Sequence, residues 1–114
     1  MSLSVKAKDE MLGVFVGRSL MLGLFTGSAE IEDPRYQRMP VTFGAPQREK
    51  DVSFIENTEE ILFSDMVRGH TFDHWGVFDE AGELLSVQPL VKDRDADAED
   101  RAWFKPGSLS IGMP

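Results

Sequence analysis

Three side chains come closest to a metal-ligand set: His70, Asp73 and His74, in the run HTFDH. Imidazole and carboxylate suit zinc, which draws on four protein ligands in structural sites and three in catalytic ones. The spacing is not the helical His-Glu-x-x-His pattern. On a strand, His70 and His74 share a face while Asp73 points to the other, so the three converge only around a bulge. The expectation is a strand with outward polar positions and no metal. Asp93, Asp95 and Asp97 have the spacing that opens a calcium loop, but Ala98 stands where that loop needs glycine and Phe104 where it needs glutamate. A solvated acidic turn is the better reading of Lys92 to Arg101.

Other chemistry fails on residue type or placement. There is no cysteine, which removes disulfides, thiolate zinc sites and cysteine nucleophiles together. No serine sits in a G-x-S-x-G elbow, and none of the 10 glycines builds a phosphate-binding loop. The adjacent carboxylates Glu59-Glu60, Asp79-Glu80 and Glu99-Asp100 point to opposite sides if extended, which is poor geometry for an acid–base pair. Trp75 and Trp103 are the right side chains for a sugar platform, although tryptophan in a small sandwich is more often core. Neither a catalytic residue nor a cofactor is expected.

The 114 residues suit one domain with a real hydrophobic core, spanning 1–114. Twenty acidic against 12 basic side chains leave a net charge of −8, a surface that repels nucleic-acid phosphates. The longest apolar stretch, Met11 to Phe25, is interrupted by Arg18 and is too short and broken for a membrane span. A secretory signal is not expected either. A cysteine-free chain is compatible with a reducing cytoplasm.

The elements that must position these residues are mostly short strands. Residues 4–16 read as an amphipathic helix with Ser4 as cap, weakened by Gly13 and stopped at Gly17. Leu20 to Thr26 (LMLGLFT) is apolar on both faces, hence a central strand. Gly27 to Pro34 reads as loop. Arg35 to Phe43 is extended, and Pro40 puts it at an edge or bulge. Gly44 to Lys50 reads as turn. Val52 to Ile55 and Glu60 to Phe63 are short strands, and Met66 to His70 is irregular. Phe72 to Phe78 alternates, then Asp79-Glu80-Ala81-Gly82 turns into Leu84 to Val91. A last strand lies around Leu109 to Ile111. The expected fold is mainly β: an antiparallel sandwich or jelly-roll-like barrel over 20–112, with one N-terminal α-helix at 4–16.

These same segments carry a resemblance. The chain resembles a family of small bacteriophage or prophage virion proteins of tail-fibre-like type. The match runs through Leu20 to Thr26; through Tyr36, Arg38, Val41, Thr42 and Phe43; and through Ile61-Leu62-Phe63. It continues at His74-Trp75-Gly76-Val77-Phe78-Asp79, at Gly82, Leu84 and Leu85, and at Gly107, Leu109 and Ile111. The loop after Thr26 is shorter than the family's, and the segment before His74 lacks its Asp-Trp-Gly. Both departures lie in loops, where partner specificity sits.

The resemblance implies a structural protein, not an enzyme, made in the bacterial cytoplasm and incorporated into the virion. It implies protein–protein contacts with other virion proteins, with a homo-oligomer expected as is common for particle components. Given the acidic charge and the broken apolar stretch, neither nucleic acid nor a membrane is an expected partner. Tyr36, Arg38, His74, Trp75, Gly76, Asp79 and Gly82 are then structural motif positions. Trp75 is expected in the core, with His74 and Asp79 tying polar groups near the strand ends. The N-terminal helix and the Pro40 edge are the expected contact regions. A receptor- or carbohydrate-binding module is the alternative, marked by an exposed indole beside carboxylates. A cell-wall hydrolase is a third, needing two carboxylates roughly 5–9 Å apart in a pocket.

Overall fold

A strand that is apolar on both faces needs cover on both, and Leu20–Thr26 has it. The computed structural model describes residues 4–64, 71–90 and 101–113. Within these, α1 (Val5–Leu12) precedes β1 (Leu20–Thr26), β2 (Ala29–Glu30), β3 (Met39–Val41), β4 (Gln47–Glu49) and β5 (Val52–Glu56). Then come β6 (Ile61–Ser64), β7 (His74–Phe78), β8 (Leu84–Pro89), β9 (Arg101–Phe104) and β10 (Ser110–Met113). The pairings between these strands are antiparallel.

The largest sheet runs β2-β1-β7-β8, with β3 also on β1. One edge of β1 pairs with β7 from Met21 to Phe25. Its other edge is shared: Leu20–Leu22 meet β3, and Phe25–Thr26 meet β2. The pleat puts Leu20, Leu22, Leu24, Val41, Trp75 and Val77 on one face, and all are buried. Ile55 and Ile111 of the sheet β10-β5-β4 join this core, as do Ile61, Phe63 and Phe104 of the pair β6-β9. Phe43 links the layers, stacking on Trp75 at 6.4 Å and meeting Phe15 edge-on at 6.3 Å. The sheets remain open and the arrangement is sandwich-like; among the described residues no barrel closes.

The other face of the central ladder is built around a glycine pair. Gly23 lies opposite Gly76. Phe25 covers Gly76, Phe78 covers Gly23, and the two rings stack 6.0 Å apart. The aromatic faces take the space that two Cβ atoms would occupy, a diagonal arrangement known to cover glycine in sheets.

Several boundaries differ from the sequence reading. The α-helix ends at Leu12 and passes into a 3-10 turn over Gly13–Phe15, short of the expected 4–16, as glycine's poor helix propensity explains. Ser4 does cap it, accepting from the Ala7 N–H at 3.1 Å. Gly27 to Pro34 contains β2, formed by a two-residue hairpin in which Gly27 takes φ +61°. Gly44 to Lys50 contains β4, and a further strand, β9, begins at Arg101, the last residue of the acidic run. β4 is wholly exposed and polar, so no apolar alternation announces it; its partner β5 holds it through the ladder.

Candidate functional site

Between the stretches of β1 covered by β3 and by β2, the strand edge is closed by a side chain. The Leu24 N–H donates to the Tyr36 hydroxyl at 2.9 Å, and that hydroxyl donates to Glu30 Oε2 at 2.7 Å. Arg38 grips the same carboxylate with two parallel bonds, Nε to Oε2 at 3.0 Å and Nη2 to Oε1 at 2.9 Å. The guanidinium also lies 3.4 Å over the Phe78 ring, a cation–π contact. Tyr36, Arg38 and Gly23 therefore belong to one cluster. Its hub, Glu30, escaped the sequence reading because it sits among several acids in a segment read as loop.

Burial pushes the Glu30 carboxyl up, but the hydrogen bonds from Arg38 and Tyr36 and the Arg38 charge outweigh it and hold the group below its ordinary value. Burial first, and then the bond to Glu30, push the Tyr36 phenol well above its ordinary value. A depressed carboxylate contributes stability that is present above its unfolded pKa and lost as pH falls through the folded one. Glu30 is thus expected to make the fold weaken on acidification below about pH 4. Urea midpoints against pH check this: Glu30→Gln flattens that limb, and an unchanged limb places the acid sensitivity elsewhere.

The second group of motif residues organises the ends of β7. Asp73 Oδ1 lies 2.7 Å from His74 Nδ1 and accepts the Gly27 N–H at 2.8 Å, tying β7 to the β1–β2 hairpin. The bond to His74, then that to Gly27, hold the Asp73 carboxyl below its ordinary value. At the other end Asp79 Oδ1 accepts from the Ala81 and Glu83 N–H groups, each at 2.9 Å, an Asx turn in which Gly82 takes φ +83°. Arg18 clasps Glu80 of that turn with two bonds of 3.2 and 2.6 Å. Trp75 is 3% exposed, and Gly76 belongs to the glycine pair.

The remaining sequence candidates scatter. His70, the Asp93-Asp95-Asp97 run and Glu99-Asp100 lie outside the described residues. Among the described residues, no three His, Asp or Glu side chains converge as metal ligands. Glu60, of the Glu59-Glu60 pair, accepts the Trp103 indole N–H at 2.9 Å. No described helix is long and apolar enough to cross a membrane.

Three surface features stay open. The indole of Trp103 is 43% exposed beside Leu62 at 41%, its cross-strand neighbour, and Lys105 Nζ stands 4.9 Å from the ring centre. On α1 and its 3-10 extension, Met11 and Val14 are about half exposed while Leu12 is buried. Finally, a groove of about 590 Å³ runs between Trp75 and Pro89 on one side and Val52, Phe54, Glu56 and Ser110 on the other.

The fold is a mainly β, antiparallel sandwich whose motif residues are engaged in hydrogen bonds and packing within the domain, with apolar groups left on its outer surfaces. The chain belongs to the family described as Podophage GP4 fiber I protein gp80, whose family model matches residues 22–112. It is a phage structural protein of a fibre family. No curated protein and no solved structure matches it.

Proposed function

We propose that the chain acts as a non-enzymatic fibre component, held in the particle by protein–protein contacts with other virion proteins after assembly in the bacterial cytoplasm. One observation carries this reading: the N-terminal helical segment is apolar on two faces. Leu12 enters the core, whereas Met11 and Val14 are exposed on a segment N-terminal to the family match. Each is already about half covered, so burying the remainder in an interface would contribute about 1 kcal/mol apiece, roughly half of what a fully exposed side chain gives. Pro40, exposed on edge strand β3, and the Leu62–Trp103 pair offer a second contact of the same kind. Tryptophan is the side chain most often found at the energetic centre of an interface.

Deleting the helix is the wrong test, because Leu12 and the buried Lys8 would leave with it. Met11→Glu with Val14→Glu changes only the outer face. Purified particles are expected to contain much less of this variant, while its urea midpoint stays at the parent value. Normal incorporation of both this variant and Trp103→Glu would overturn the contact reading.

A second reading, a carbohydrate-binding module, is favoured by the groove at Phe54 and Trp75, which joins apolar surface to carboxylates and hydroxyls.

A further inference from the structure

The pleat of the sheet β10-β5-β4 divides its residues cleanly. Ser53, Ile55 and Ile111 point inward and are buried. Val52, Phe54 and Glu56, with Ser110 and Gly112 across the ladder, share the opposite face and line the groove. Trp75 and Pro89 close its other side, and Glu49, Lys50 and Ser108 also line it. Gly112 keeps it open: a side chain there would grow from a Cβ already 3.4 Å from Val52 Cγ1. Glu56 is held in place, Oε1 accepting the Gln47 amide at 3.1 Å.

Resting on the carbohydrate-binding reading, we propose that this groove binds a neutral saccharide of one or two pyranose rings. The lining argues for that class. Phe54, Pro89 and Val52 supply an apolar surface that suits the C–H face of a sugar ring. Glu49 and Glu56 supply acceptors for adjacent ring hydroxyls, and carboxylates make the stronger, charge-assisted form of that bond. Ser108, Ser110 and Lys50 add donors. Two carboxylates against one ammonium repel phosphorylated and acidic sugars. The size falls within the range of small-ligand sites, about 300–1,000 Å³.

The experiment is an amide-resolved NMR titration of the full chain with glucose, galactose, N-acetylglucosamine and their disaccharides, with glucuronate as the charged control. At millimolar concentrations a neutral sugar is expected to shift Phe54, Glu56, Ser108, Ser110, Gly112 and Trp75, and glucuronate to shift none of them. Phe54→Ala is expected to weaken binding roughly tenfold. Gly112→Val, which fills the groove without altering a charge, is expected to abolish it. Should either variant fold poorly, the wild-type shift map still decides. Shifts centred on Leu62 and Trp103 would overturn the groove and leave the carbohydrate reading standing. A lysine-rich tripeptide that binds the groove in place of every sugar would overturn the ligand class. Silence from all the sugars would end both readings.

Discussion

Trp75→Ala is expected to cost the fold about 3–5 kcal/mol, the range for removing a large buried aromatic side chain. Small domains hold only about 5–15 kcal/mol in total, so the variant sits near the edge of folding. The indole is 3% exposed and lies opposite Leu24 on the inner face of the central ladder. It stacks on Phe43, which in turn meets Phe15 after the helix. Truncation therefore opens a cavity where the large sheet, the β3–β4 connection and the helical segment meet. Neighbours fixed in three elements cannot all move to fill it, which is why the cost belongs at the upper end for a cavity. Urea unfolding at constant slope measures the loss. A change below about 1 kcal/mol would mean that the site collapses freely and that Trp75 does not hold these three elements together.

Gly23→Ala and Gly76→Ala are expected to destabilise by about 1–3 kcal/mol each, through overpacking rather than cavity formation. Alanine is normally the better residue in a strand, so the sign itself is diagnostic. A Cβ on Gly23 would stand 2.6 Å from Glu30 Oε2, 2.8 Å from Phe78 Cε1 and 3.0 Å from the Tyr36 hydroxyl. One on Gly76 would stand 2.5 Å from Phe25 Cε1. The first change displaces the carboxylate that Arg38 and Tyr36 share; the second displaces the Phe25 ring and crowds Leu84 Cδ1 at 3.1 Å, without touching that carboxylate. The Gly23 variant alone is thus expected to lose part of the acid sensitivity assigned to Glu30. Phe25→Leu should recover part of the Gly76→Ala loss, and a double-mutant cycle reads that coupling directly. Strict additivity would show that the ring and the glycine are not in contact.

Much of this fold was legible in the chain itself. LMLGLFT could be read as a central strand because a run apolar on both faces is stable only when covered twice. HWGVF and the Asp79 to Gly82 turn were legible for a related reason: alternation followed by turn residues has few other uses. Cysteine absence, charge and the failed metal spacings likewise depend on composition and order, which need no coordinates. The family resemblance drew on these strand-forming segments, and the match over residues 22–112 follows the same ground.

Other features depend on what lies across space. β4 has no apolar alternation, and its strand form comes from hydrogen bonds to β5. The partners Glu30, Tyr36 and Arg38 are separated by turns, and only the folded edge of β1 brings them onto one carboxylate. Trp75 and Trp103 are the same residue type in similar strands; the pleat buries the first and exposes the second. The groove is the clearest case, because its two walls come from different sheets and no spacing along the chain encodes their approach. Local sequence determined the strands and turns of this fibre protein, since alternation and turn chemistry act over a few residues. Tertiary structure decided which polar groups meet and which surfaces stay open, since both depend on packing between distant segments.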